Sequence, residues 1–148
     1  MSVEQNKAIS RRIPVEVFEQ GRLAVVDEIC APDFIEHGTP PPGIPAGREG
    51  IKAMASALRK GFPDIKYKID QQIGEGDVVA SYVTVSGTHK GEIFGMAATG
   101  KRATWAEAHF VKLVNGKLTE HWGVLDQLGM LRQLGLAPSP PQAVPVAR

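Results

Sequence analysis

Near residue 65 the spacing of apolar side chains changes from helical to alternating, and no other feature of the chain constrains its fold as strongly. Before that point Ala8, Ile9, Ile13, Val17 and Phe18 recur at helical spacing. Ser2, followed by Glu4 and Gln5, supplies a capping residue and an acidic first turn. Pro14 lacks a backbone donor and is expected to kink or reset this helix, which Gly21 ends. Leu23, Val26, Ile29 and Cys30 share one side of a short second helix that Pro32 is expected to stop. Asp33 to His37 reads as a short extended piece. The run from Gly38 to Pro45 carries four prolines, too many for a helix or a central strand. It is a stiff loop and a candidate pocket rim. Ile51, Met54, Ala55 and Leu58 then mark a helix from Arg48 to Phe62.

After the switch, Ile65, Tyr67 and Ile69 alternate with Lys66, Lys68 and Asp70, the pattern of a half-buried strand. A turn over Gly74 to Asp77 leads to a second strand, Val78 to Thr88, and His89 to Gly100 forms a long irregular connection. Lys101 to Val114 is the third strand. Asn115-Gly116 is the strongest hairpin signal, since both turn positions need positive φ, so Lys117 to Leu125 returns antiparallel. Asp126 opens a last helix with Leu128, Met130, Leu131 and Leu134, closed by Gly135. Helices followed by a meander of strands predict one α+β domain over residues 1–136, with helices on one face of a curved, mostly antiparallel sheet that encloses a cone. Residues 137–148 contain four prolines and no periodicity, and are expected to be a disordered or surface-lying tail.

Composition excludes several classes. A chain of 148 residues builds a sizeable core without a disulfide or metal staple. Seventeen basic residues balance sixteen acidic ones, which argues against a nucleic-acid partner. Cys30 is the single cysteine, so it reads as a core thiol in a reducing, cytoplasmic setting. No signal-peptide h-region is present, and no apolar run approaches the ~20 residues that span a bilayer. No membrane partner is expected.

Three phrases carry a family resemblance. Gly87-Thr88-His89-Lys90-Gly91-Glu92, followed by Ile93-Phe94-Gly95-Met96 and Thr99-Gly100-Lys101, is similar to the GTHxGEFxG…TGK segment of SnoaL-like polyketide cyclases. Gly116-Lys117-Leu118-Thr119-Glu120-His121-Trp122 resembles their GKIxEHW, and Asp126 to Gly135 their DxLGLLxQLG. Phe34 and His37 match further positions. The resemblance implies a nuclear transport factor 2-like cone, often a homodimer, and ring closure of aromatic polyketides by intramolecular aldol condensation with no metal or cofactor. It also implies an aspartate after the His-Trp pair as general acid/base, and here Gly123 stands at that position.

Strand alternation puts Trp105, Glu107 and His109 on one face of the third strand, and Thr119, His121 and Gly123 on one face of the fourth. A regular two-residue hairpin would set residue 109 near 122 and 107 near 124. Enolisation needs a base for a C–H proton and a donor for the oxygen that gains charge. Glu107 in apolar surroundings is a candidate base, with His121 and His109 as donors or proton shuttles. Asp126 is either a helix cap or a displaced carboxylate. His37 either lines the pocket or lies on the surface. Trp105, Phe94, Met96 and Phe18 are expected against a flat hydrophobic ligand, while Trp122 and Met130 read as core. His89, in a glycine-bounded loop, is expected to be exposed. The histidine spacing suggests no metal. The leading expectation is therefore an acid–base enzyme on a small hydrophobic carbonyl compound. Its rivals are a noncatalytic binding module, which Gly123 favours, and an epoxide hydrolase or dehydratase, which would need an arginine near the carboxylates.

Overall fold

Ser2 begins the fold as its sequence suggests. In the computed structural model, which describes residues 1–139, its hydroxyl accepts the Gln5 amide at 3.1 Å and the Gln5 side chain accepts the Ser2 amide at 2.8 Å. This reciprocal cap opens helix α1, Val3–Arg12. Pro14 does not break the chain's helical course. It converts it to a π-helical run, Ile13–Glu19, in which the Gln20 amide reaches back five residues to the Val15 carbonyl. A widened turn accommodates a residue that cannot donate to the ordinary ladder. Helix α2 spans Ala24–Ile29 and α3 Gly47–Gly61.

The extended piece is longer than its composition suggests. Strand β1 runs Cys30–Glu36 and contains Pro32; α2 ends at Ile29, ahead of that proline as expected, but Cys30 opens the strand instead of closing the helix. A proline is tolerated there because β1 is an edge strand whose register breaks between Cys30 and Ile35. Strands β2 Lys66–Glu75, β3 Val78–Thr88, β4 Arg102–Val114 and β5 Lys117–Leu125 follow, and α4, Gln127–Gln133, closes the described fold. Asn115 and Gly116 adopt φ of 49° and 75°, as the hairpin between β4 and β5 requires. The sheet order is β1-β5-β4-β3-β2, antiparallel except for the β1–β5 pair. Most of the proline-rich tail, residues 140–148, lies outside the described residues.

Buried side chains form two clusters on the helix-covered face. One joins Val17, Val25, Val26, Ile29, Phe34 and Ala55 to Val79, Leu113 and Leu118. The other joins Phe62, Ile65, Ile93 and Leu134 to Val83, Val85, Ala103 and Trp105. Along β4 the inward residues thus run apolar at 103 and 105, polar at 107 and 109, and apolar again at 111 and 113. Cys30 is buried in the first cluster, and its burial pushes the thiol up to about 12. It stays a protonated core group at neutral pH.

The loop histidine departs from expectation. His89 is fully buried, stacked 5.4 Å from Phe62, and its Nδ1 accepts from the Thr99 amide at 3.3 Å and faces the Thr99 hydroxyl at 3.1 Å. Its neighbour Gly91 is used for close approach to the Lys60 carbonyl, not for mobility. The amides of Lys90 and Gly91 both donate to the Gly61 carbonyl, pinning the connection to α3.

Candidate active site

The site forms where the hairpin loses its regularity. The turn sets Val114 opposite Lys117 and Leu113 opposite Leu118, yet Lys112 pairs with Glu120. Thr119 is the extra residue of this bulge, and its hydroxyl donates to the Lys112 carbonyl at 3.3 Å. Beyond it every β5 side chain changes face. A single-residue slip does this because strand side chains alternate with period two. His109 therefore faces Gly123, not Trp122, and His121 faces Val111 from the inner side. Thr119 does not share the inner face with His121; Leu118 does.

On that face the polar residues join end to end. Trp105 Nε1 donates to Glu107 Oε1 at 2.8 Å, and Glu107 Oε2 lies 2.7 Å from His109 Nε2. His109 Nδ1 lies 2.9 Å from His121 Nε2, and His121 Nδ1 lies 2.5 Å from Glu36 Oε2. The Gly38 amide donates to Glu36 Oε1 at 2.9 Å. The two imidazole rings stack 5.1 Å apart. Glu107, at the inner end, keeps 9% of its side-chain surface, against 31% for Glu36 at the outer end. Burial alone would raise the Glu36 carboxyl. The hydrogen bond and charge of His121, the Gly38 amide and the charge of His109 outweigh it and hold the group below the usual carboxylate range. The four groups lie in a line, and among the described residues no three His, Cys, Asp or Glu side chains converge to hold a metal ion.

Gly123 makes room for the pair. A Cβ there would stand 2.9 Å from His121 Cε1 and 3.0 Å from His109 Nδ1. The volume that a side chain at 123 would take is filled by imidazole.

Of the residues expected at the site, Glu107, His109 and His121 are brought together, and Trp105 supports them from a 4% exposed position. Phe18 packs on the first cluster and its ring lies 5.7 Å from Tyr67, which packs on the second, so the two rings bridge the clusters. Met96 packs against the second cluster with Met130. His37 does not line this face. It follows the inward Glu36, points the other way, stacks on Trp122 at 4.4 Å and meets Glu120 Oε2 at 2.7 Å. Trp122 is likewise corrected from core to outer face, 39% exposed, by the same bulge that turns His121 inward. Phe94 is 40% exposed at the tip of the Ile93–Met96 turn, with φ of 47°. Asp126 caps α4, its carboxylate accepting the Gly129 amide at 2.9 Å. Arg102 bonds Asp64 and Ser86, and among the described residues no arginine pairs with Glu107 or Glu36.

Two residues escape the sequence reading. Glu36 shares the β1 alternation with the buried Phe34, the one local sign that it points inward. Tyr67 is half-buried against the second cluster, and burial followed by the Glu107 charge raises its hydroxyl well above the ordinary value, so it keeps its proton. Among the described residues its hydroxyl has no hydrogen-bond partner. An open groove of about 330 Å³ lies along His37, Gly38, Ala108, Phe110, Trp122, Gly123 and Val124, with Gly123 between it and the histidine pair.

Comparison with known proteins bears on the family and the fold. The sequence model of the SnoaL-like polyketide cyclases matches residues 8–134. Nogalonic acid methyl ester cyclase of Streptomyces nogalater is 32% identical over 122 residues, covering 82% of this chain and 91% of that protein. Aklanonic acid methyl ester cyclase DnrD of Streptomyces peucetius is 30% identical over 127 residues, covering 82% and 85%. TsrD from Streptomyces laurentii shares the fold, with a TM-score of 0.83 at 23% identity, over 93% of this chain and 99% of that one.

Proposed function

The chain belongs to the SnoaL-like polyketide cyclase family, and from that premise we propose that it closes a ring in a small, largely apolar polyketide-type carbonyl compound by acid–base catalysis. The observation that carries this reading is the hydrogen-bonded line from Glu107 through His109 to His121, set in the polar gap between two apolar clusters. An aromatic substrate would lie in that gap, against Phe18, Met96 and Trp105 as the apolar contacts. Glu107 takes a proton from the carbon next to a carbonyl, and the electron pair moves onto the oxygen, where the Tyr67 hydroxyl is the candidate donor. The enolate carbon attacks a second carbonyl of the same molecule, forming one C–C bond. The resulting alkoxide takes a proton from the Glu107–His109–His121 group, which restores the starting protonation. An intramolecular addition conserves the formula, so the step is an isomerisation; its reverse is a lyase-type retro-aldol cleavage.

Gly123 does not argue for a noncatalytic module in this setting. The acid–base groups have shifted to Glu107 and to the imidazole pair that fills the space beside Gly123. Among the described residues the epoxide hydrolase reading lacks its arginine, since Arg102 is engaged by Asp64 and Ser86.

Homodimer formation through the outer face of the sheet fits its exposed Ile73, Tyr82, Phe110, Trp122 and Val124. A cytoplasmic setting fits the single buried thiol. Among the described residues no helix is long and apolar enough to cross a membrane.

The test is deuterium uptake from heavy water into 1,3-dicarbonyl and anthraquinone-type compounds, read by mass spectrometry. Wild-type protein should catalyse uptake, and Glu107→Gln should lower it by about 10²–10⁴-fold. Equal uptake in both proteins would remove Glu107 from the mechanism.

A further inference from the structure

We propose that Glu36, Glu107, His109 and His121 form one proton-carrying unit holding three protons in its three contacts, with Glu36 as the positioning residue at its solvent-facing end. The inference rests on the acid–base reading above and adds a residue that nothing in that reading requires.

A carboxylate oxygen and a bare imidazole nitrogen both present lone pairs. At 2.7, 2.9 and 2.5 Å, each of the three contacts needs one proton between its atoms, or two lone pairs face each other. Two neutral imidazoles bring two protons. The third is an extra one, so the unit carries a net charge of −1 where two ionised carboxylates and two neutral rings would carry −2. The groups coupled to it are Trp105 on β4, whose N–H holds Glu107, and Tyr67 on β2, which keeps its own proton. Lys112 and His37 both pair with Glu120 on the opposite face of the sheet.

This filling has a consequence for movement. If each proton crosses its own contact, one unit of positive charge passes between Glu107 and Glu36, and neither ring rotates. With the extra proton at the Glu36 end, Glu107 is a bare carboxylate and acts as base. With it at the Glu107 end, Glu107 is a carboxylic acid and can protonate the alkoxide. Glu36 thus sets which role Glu107 plays, without touching substrate. Its greater exposure and its anchoring by the Gly38 amide suit the outer terminus of such a chain.

The test is NMR of full-length, ligand-free protein with ¹⁵N-labelled histidine at neutral pH, alongside steady-state kinetics. In wild type, the four ring nitrogens of His109 and His121 and the carboxyls of Glu36 and Glu107, labelled with ¹³C, should carry three protons together, all three on the rings when both carboxylates are ionised. Glu36→Gln, checked for folding by thermal unfolding, should lower the count to two and reduce kcat by about a hundred-fold with KM little changed. Glu36→Asp, which keeps the carboxylate, should recover part of both. Two ring protons in the wild-type pair together with two ionised carboxylates, read from the ¹³C shifts of the Glu36 and Glu107 carboxyls, would overturn the proposal, even in an active enzyme. So would a Glu36→Gln protein with unchanged ring protons and kcat. Three ring protons in a protein inactive on every carbonyl compound would uphold the relay and overturn the cyclase reading.

Discussion

Replacing Gly123 by alanine adds one methyl group at the point where the two imidazoles meet. The new Cβ would stand 2.9 Å from His121 Cε1, 3.0 Å from His109 Nδ1 and 3.1 Å from His121 Nε2. Carbon contacts are most favourable at about 3.5–4.0 Å, so the rings must retreat by roughly half an ångström to one ångström. The Nδ1···Nε2 contact, now 2.9 Å, would open past hydrogen-bonding range. Overpacking costs about 1–3 kcal/mol and the lost hydrogen bond about 1 kcal/mol. Alanine in place of a strand glycine returns about 0.5–1 kcal/mol. The net loss is about 1–3.5 kcal/mol, which lowers Tm by roughly 2–4 °C for each kcal/mol. A misplacement of about 1 Å among reacting groups also costs on the order of 10² in rate. Thermal unfolding and substrate deuteration on the same preparations measure both effects. Gly123→Asp should fail in the same way, because its Cβ meets the same atoms before its carboxylate can act. A Gly123→Ala protein as active as wild type and more stable would refute the reasoning, since it would mean that the imidazoles do not meet over residue 123.

Acid should weaken the fold in a defined window. Glu16 is held below the usual carboxylate range chiefly by the hydrogen bond from Arg12, and Glu36 by its net gain of hydrogen bonds and charge over burial. The unfolded chain binds these protons first, so stability is full above about pH 4–5 and falls as pH drops further. Urea midpoints that stay constant from neutral pH to below pH 4 would contradict this. His89→Ala should cost about 2–4 kcal/mol, because it leaves a cavity beside Phe62 and frees the Thr99 amide and hydroxyl. Urea unfolding reads the change, and a loss below 1 kcal/mol would place His89 at the surface after all. Phe110→Lys on the outer face should convert a homodimer to monomers in light scattering without changing deuteration by Glu107. A dimer that persists would move the interface elsewhere.

Much of the fold is legible because its signals are local. The alternation from Val78 and the Asn115-Gly116 turn delimit β3 and β5 at their observed ends, and Ser2 and Asp126 cap the helices expected of them. Period two also places Trp105, Glu107 and His109 together, since that depends only on one strand. The errors occur where burial is decided by distant chain. Glycine neighbours make His89 look exposed, although Gly91 is small to let the loop close on Lys60 and Gly61. Cys30 looks like the end of a helix because nothing local reveals that it pairs with Leu118 at a sheet edge.

The sequence by itself determined the helix-then-sheet order, the hairpin and two of the four members of the polar line, Glu107 and His109, because spacing and turn chemistry act within a few residues. The tertiary structure alone decided which face His121 and Trp122 take, and that Glu36 completes the line. The bulge at Thr119 has no mark in the residue pattern and yet inverts every side chain beyond it. Glu36 meets His121 only because β1 lies parallel to a strand some eighty residues later, a pairing fixed by how the helices and sheet close on each other.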